Sequence, residues 1–267
     1  GDDRVMAIHE LAIVHPSAQI GSDVSIGPYA IIEANSVIGD GCLIDSHAVV
    51  REWTVLGKRC EVHPQAVLGG VPQDKKFQGE VSKLIIGDDN IIRESVSIHR
   101  ATGEGAESVV GDDNTFMALS HIGHNCTVGS RTMISTYVGV AGFCEIEDDV
   151  VIGGQVGVHQ YTQIGKLAMI AGHSAIRRDV PPFMMAAGEA TQVIGINRIG
   201  LQRQGVPVES REALRKACKI LFRSELNTSE ALKRVVADVP QTPEVQYLVD
   251  FVRRTSRGRA GRQRQQR

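Results

Sequence analysis

The chain has 267 residues, 42 % hydrophobic but only 4 % aromatic, with 28 glycines and a formal net charge of −2. That balance excludes a polyanion-seeking surface field and favours many short strands with tight turns over a helical bundle. No apolar run reaches the roughly 18–20 residues that span a bilayer, and no basic-then-apolar signal segment precedes Met6, so a cytoplasmic location is expected.

From Ile8 an aliphatic residue recurs at every sixth position, through Val14, Ile20, Ile26, Ile32, Ile38, Ile44, Val50, Leu56, Val62 and Leu68. Four places after most of these stands a small or β-branched residue, such as Ala18, Val24, Ala30, Ser36 and Thr54. A six-residue period fits neither a helix nor a long amphipathic strand. It fits a short strand and a turn, with positions i and i+4 pointing inward; three such units close a triangular coil of 18 residues. Coils then stack at the strand spacing of roughly 4.8 Å, giving the hexapeptide form of a parallel β-helix. Cys42, Cys60, Cys126 and Cys144 all fall at the i+4 phase and no C-x-x-C pair occurs, which argues for buried thiols as apolar fillers.

Two stretches interrupt the period: "GGVPQDKKFQGEVSK" (69–83) and "RATGEGAES" (100–108). Both read as loops extruded from a rigid prism, a common place for function. The period resumes at Ile86, Ile92 and Ile98, and again from Val110 through Ile122, Val140 and Val158 to Ile176. After "RRDVPPFMM" helical patterns take over: "SREALRKACKILFRS" with Ser210 as its N-cap, "TSEALKRVVADV", and "PEVQYLVDFVRR" with Pro243 in its first turn. The fold class is therefore mainly β: a β-helix over residues 6–180 and a C-terminal α-helical domain over 181–256 that caps its open end. The Arg/Gln/Gly-rich tail 257–267 has the composition of a disordered segment, and nucleic-acid binding is not expected of it.

Stacking also makes a chemical prediction. Within "HIGHNCTVG" (121–129), His124 occupies an outward corner position, and adding 18 gives Gly142, then Gln160. An imidazole, an accessible backbone N–H and a carboxamide thus form one column. A neutral imidazole can act as a base near pH 7, and a bare N–H can receive an oxyanion. The same column is equally compatible with an ordinary solvated histidine. A metal site at His121 and His124 is disfavoured, because an i, i+3 pair in a strand points to different faces and no Asp, Glu or Cys completes a ligand set.

Several stretches carry a more specific resemblance: "IGPYAII", "GGVPQDKKFQGE", "IRESVSIHR", "HIGHNCTVG", "VHQYTQIG", "DVPPFMMAAG" and "GINRIGLQR". Together, and in this order, they resemble the acyl-carrier-protein–UDP-N-acetylglucosamine O-acyltransferase family, which begins lipid A synthesis in Gram-negative bacteria. The resemblance implies a left-handed coil, an exception to the right-handed crossover rule. It also implies a homotrimer with active sites in clefts between prisms. His124 matches the family's general base and Gly142 its oxyanion donor. Asp74 and Lys76 match substrate contacts on the first loop, and His121, His159, Gln160, Asn197 and Arg203 match residues lining the donor and nucleotide pockets. Gly172 and Ala190 stand where acyl length is gauged, which implies a donor of about 14 carbons or more.

The implied reaction is direct transfer of an (R)-3-hydroxyacyl chain from acyl carrier protein to the sugar 3-OH, with no metal, organic cofactor or covalent acyl-enzyme. The carrier is acidic, and Arg203, Lys216, Lys219 and Arg223 are its candidate contacts. Five positions depart from better-known members: Asn125 stands for Asp, Phe143 for His, Val55 for Lys, Ile199 for Glu and Gln204 for Arg. They blur the acceptor, leaving a 3-amino analogue of UDP-N-acetylglucosamine open beside UDP-N-acetylglucosamine itself. Another hexapeptide acyltransferase using acyl-CoA or a different nucleotide sugar, a non-catalytic trimeric scaffold, and a zinc-bearing β-helix with histidines meeting across subunits are the other possibilities.

Overall fold

The computed structural model describes residues 7–265; residues 1–6, including Met6 where the β-helix was expected to begin, and the last two residues of the tail lie outside it. Among the described residues, twenty-eight short strands and four helices follow in chain order. The strands form three sheets that make the faces of a triangular prism. The first face begins at Ala7–Ile8, the second at Ile13–Val14 and the third at Gln19–Ile20. Pairing between successive coils is parallel, as in His121↔Gly139↔Gly157.

The second residue of each two-residue strand points inward, so Ile32, Ile38, Ile44 and Val50 are buried to within 1 %. Stacked aliphatic rows of this kind form one continuous core along the prism. The glycine after many of these aliphatics is there for closeness rather than for turning. A Cβ on Gly39 would lie 2.5 Å from the Gly57 carbonyl oxygen, and one on Gly57 would lie 2.4 Å from that of Gly87. The left-handed turn position two residues later is instead held by residues such as Asn35, Asn125, Phe143 and Tyr161, with φ from +57° to +66°. All five cysteines are free and buried.

The first insertion leaves the second face after Val67–Gly70 and re-enters the third at Lys83–Ile86. The second leaves after Ser97–His99 and re-enters at Glu107–Val110. Both therefore emerge from the corner between the second and third faces.

At its C-terminal end the first face closes with an antiparallel hairpin, Met184–Ala187 with Gln192–Ile196. Helices α1 (Arg198–Arg203), α2 (Val208–Arg223), α3 (Thr228–Asp238) and α4 (Pro243–Thr255) follow. Leu214, Val235 and Leu248 of these helices pack with Leu167, Phe183 and Met184 of the prism end into a second core. Asn227 caps α3 by accepting from Glu230 N–H, and Thr242 caps α4 with Pro243 at its start. The start of α2 differs from the sequence expectation. Pro207 (φ −54°, ψ 149°) sets the entry, the helix begins at Val208, and Ser210 is buried in its first turn rather than capping it.

The tail also differs from expectation. Residues 257–265 fold back on the prism instead of lacking order, because a buried carboxylate satisfies their backbone. Asp179 Oδ2 accepts from Gln263 N–H at 2.8 Å, Asp179 N–H donates to the Gly261 carbonyl at 2.8 Å, and the Arg262 guanidinium donates to the Arg177 carbonyl. Burial pushes the Asp179 carboxyl up to about 6. Composition could not show this, since the anchor lies in the prism.

Candidate active site

The column drawn from the 18-residue period exists. Register pairs His121 with Gly139 and Gly157, so His124, Gly142 and Gln160 occupy equivalent places on three successive coils. The imidazole lies directly over Gly142: a Cβ there would meet His124 Nε2 at 2.6 Å and Cε1 at 2.8 Å. Among the described residues, Gly142 N–H donates to no other group, while its carbonyl accepts from Tyr161 N–H at 3.2 Å. Gly123 keeps that N–H uncovered, since a side chain there would sit 2.8 Å from the Gly142 nitrogen.

Neighbouring aromatic rings hold the imidazole in place. Phe143 meets His124 edge-on at 5.2 Å and stacks on Tyr161 at 4.9 Å. Asn125 brings no charge but keeps a hydrogen bond, its Oδ1 lying 2.8 Å from His124 Nδ1.

His121 projects from the second face, with Nδ1 2.8 Å from Ser97 Oγ. His99 packs edge-on against it at 4.7 Å. No role was assigned to His99 from sequence, although a signal exists: it fills the slot after an aliphatic (Ile98) that glycine holds in many other coils, opposite Gly70, whose Cβ would lie 2.9 Å from its ring. Burial, with His121 and His124 adding to it, depresses His99 to about 4, and burial likewise lowers His121. Two neutral rings therefore stand behind His124.

The sign of the His99 shift gives a stability prediction. The folded value lies below the unfolded value of about 6.5, so its contribution is complete above pH 6.5 and is lost as pH falls toward 4, by roughly 3 kcal/mol. Thermal melts should show a smaller loss between pH 7 and pH 5 for His99→Asn than for the parent chain; equal losses would contradict the buried neutral histidine.

The other expected site residues divide by corner. Asp74 and Lys76 belong to the first loop, at the His124 corner, where Asp74 Oδ1 accepts from Lys76 N–H at 3.0 Å and Lys76 is exposed. His159 and Gln160 are exposed at the same corner, and His159 Nδ1 donates to the Gln160 carbonyl at 2.9 Å. Val55 lies on the third face, paired with Ile85. Gly172 is exposed at the corner between the first and second faces, and Ala190 at the hairpin turn.

Asn197 is buried at the start of α1, where Nδ2 donates to the Leu167 carbonyl at 3.0 Å and Oδ1 accepts from Gly200 N–H at 3.1 Å. Both its polar atoms are thus engaged in capping and docking the helix. Arg203 and Ile199 are exposed on α1, and Gln204 Nε2 donates to Asp149 Oδ1 at 3.1 Å. That group sits at the third corner. A prism side of six residues at about 3.3 Å each spans up to roughly 20 Å. One chain therefore brings together the His124 corner and its two loops but leaves Asn197, Arg203 and Gly172 on other corners.

Among the described residues no three His, Cys, Asp or Glu side chains converge as a metal ligand set, and no helix is long and apolar enough to cross a membrane.

Comparison with known proteins agrees with this architecture. Residues 35–70 match the bacterial transferase hexapeptide (six repeats) model, and residues 179–260 match the second domain of UDP-N-acetylglucosamine O-acyltransferase. The protein is thus a hexapeptide-repeat acyltransferase built on a left-handed parallel β-helix. The acyl-[acyl-carrier-protein]–UDP-N-acetylglucosamine O-acyltransferase of Anaeromyxobacter dehalogenans is 45 % identical over 254 residues, 95 % of this chain and 99 % of that one. The enzyme of the same name from Myxococcus xanthus is 41 % identical over 94 % of this chain and 98 % of its own. Among solved structures, the UDP-N-acetylglucosamine acyltransferase of Bacteroides fragilis superposes with a TM-score of 0.90 at 40 % identity, covering 92 % of this chain and 97 % of that one. The chain belongs to the acyl-[acyl-carrier-protein]–UDP-N-acetylglucosamine O-acyltransferase family.

Proposed function

We propose that this chain transfers an (R)-3-hydroxyacyl group from acyl carrier protein to the 3-hydroxyl of UDP-N-acetylglucosamine, the first step of lipid A synthesis, with His124 as general base. The supporting observation is the seat of His124 Nε2 against Gly142, at the corner from which both loops emerge. Nε2 accepts the proton of the sugar 3-OH as that oxygen attacks the thioester carbonyl. Negative charge developing on the carbonyl oxygen is received by Gly142 N–H. Collapse expels the carrier's thiolate, which takes the proton back from the imidazolium. No acyl-enzyme forms, and every atom transferred comes from the two substrates.

The division of residues among corners favours a homotrimer. Asn197 and Arg203 approach a His124 corner only if they come from a neighbouring copy, so a cleft between prisms completes what one chain leaves apart. Sedimentation should give three times the 28.9 kDa chain mass; a monomer with full activity would contradict the shared cleft. For the acidic carrier, Arg203 and Lys219 are exposed, whereas Lys216 and Arg223 already donate to the Asp238 and Ile194 carbonyls.

Gly172 is open to solvent in the single chain, and a Cβ there would meet only the Gly154 backbone, at 3.2 Å. With Ala190 also small, neither position carries bulk that would stop a long chain. Turnover compared across carrier-bound acyl groups should peak at about 14 carbons or more, since each methylene in an apolar pocket is worth about 1 kcal/mol or more. A peak near 10 carbons would overturn this.

A further inference from the structure

The carboxamide of Asn125 sits between His124 and the second extruded loop, and its orientation is fixed by groups that cannot exchange roles. Thr102 N–H, a donor only, meets Asn125 Oδ1 at 2.8 Å, and the Thr102 carbonyl, an acceptor only, meets Nδ2 at 3.0 Å. Reversing the amide would set donor against donor and acceptor against acceptor. Asn125 N–H donates to Ser108 Oγ at 2.8 Å, which holds the residue's backbone as well.

The Thr102 peptide is itself held from both sides. Gly103 N–H donates to Glu80 Oε1 at 2.7 Å, tying this loop to the first. Arg100, 4 % exposed, pairs with Glu52 Oε1 at 3.0 Å and lies over the Phe77 ring.

With the amide so fixed, the atom facing His124 Nδ1 is a carbonyl-type oxygen, which only accepts. Nδ1 must therefore carry the proton. We propose that the second extruded loop sets the protonation pattern of His124: the Thr102 peptide orients the Asn125 carboxamide, which holds the proton on Nδ1 and leaves the Nε2 lone pair beside Gly142. Asn125 is then a positioning residue that orients the base without charging it. This rests on His124 being the base. Two titratable side chains act on the charge of the imidazole, His121 three residues earlier on the same coil and His99 on the preceding one, and both are disfavoured as cations by burial.

The test is the pH profile of kcat/KM for the full-length enzyme and three kinds of variant. Asn125→Asp tolerates the same positive φ but places a carboxylate where the amide oxygen was. An adjacent carboxylate favours the imidazolium, so the acid limb should move up by about one pH unit, with KM for both substrates changed less than about twofold. Asn125→Gly removes the amide without backbone strain; kcat should fall about tenfold to a hundredfold, with circular dichroism unchanged. Thr102→Pro removes the loop's donor, whereas Thr102→Ala keeps it. The first should match the Asn125→Gly loss, the second should match the parent, and the Thr102→Pro/Asn125→Gly pair should lose no more than either alone.

An Asn125→Asp acid limb that coincides with the parent's, or parent-level kcat in Asn125→Gly, would overturn the proposal even if Thr102→Pro failed to fold. If His124→Ala keeps parental turnover, the base assignment itself falls. If His124→Ala is inactive and the Asn125 variants are unmoved, only the positioning role falls.

Discussion

Replacing His124 with alanine should lower turnover by about 10²–10⁴-fold, the usual worth of a general base, while leaving the fold intact. The side chain is half-buried at an outward corner and does not belong to the aliphatic rows that hold the coils together. Its neighbours are the Asn125 amide, the Phe143 edge and the bare backbone of Gly142, so alanine opens little interior volume. Activity on carrier-bound substrate with circular dichroism in parallel separates the two effects. A loss below tenfold in a folded protein would remove His124 from the reaction.

The second large effect concerns a residue with no side chain. Gly142→Ala adds a methyl group that would stand 2.6 Å from His124 Nε2, inside contact distance, with the ring's Cε1 and Cδ2 also within 3.1 Å. The imidazole must swing away. A displacement of about 1 Å at a reacting centre costs on the order of 10²-fold in rate, so kcat should fall by that much even though the N–H proposed to receive the oxyanion is retained. Gly142 has none of the positive φ that would strain alanine, so the backbone need not move and melting temperature should barely change. Parental kcat in this variant would mean that the ring seen over Gly142 is not in its working position.

How much of this was legible beforehand follows from where the information lies. A period of six states the prism, because each unit repeats the same inward residue, and Ile32, Ile38 and Ile44 needed no partner outside the pattern. Coil stacking follows from the same number, which is why His124, Gly142 and Gln160 could be aligned by adding 18. The Asn125 amide could be seen as an absent charge but not as a held group, since its partner Thr102 sits 23 residues back on a loop whose path no period dictates. Asn197 looked like a ligand contact because its motif matched; its capping of α1 and bond to Leu167 depend on how a helix docks against a corner 30 residues away. The tail was misread for the same reason: Arg, Gln and Gly carry no apolar pattern, and its order comes from Asp179.

The most direct measurement is mass spectrometry of the nucleotide sugar recovered after incubation with (R)-3-hydroxyacyl carrier protein. UDP-N-acetylglucosamine and its 3-amino analogue are offered separately, to the parent enzyme and to His124→Ala. If an imidazole seated on a glycine amide moves an acyl group onto a sugar hydroxyl, the parent returns the 3-O-acyl ester and the variant returns almost none. Acylation of the amino sugar alone would change the acceptor, and unmodified UDP-N-acetylglucosamine with equal products from parent and variant would contradict the chemistry assigned to this corner.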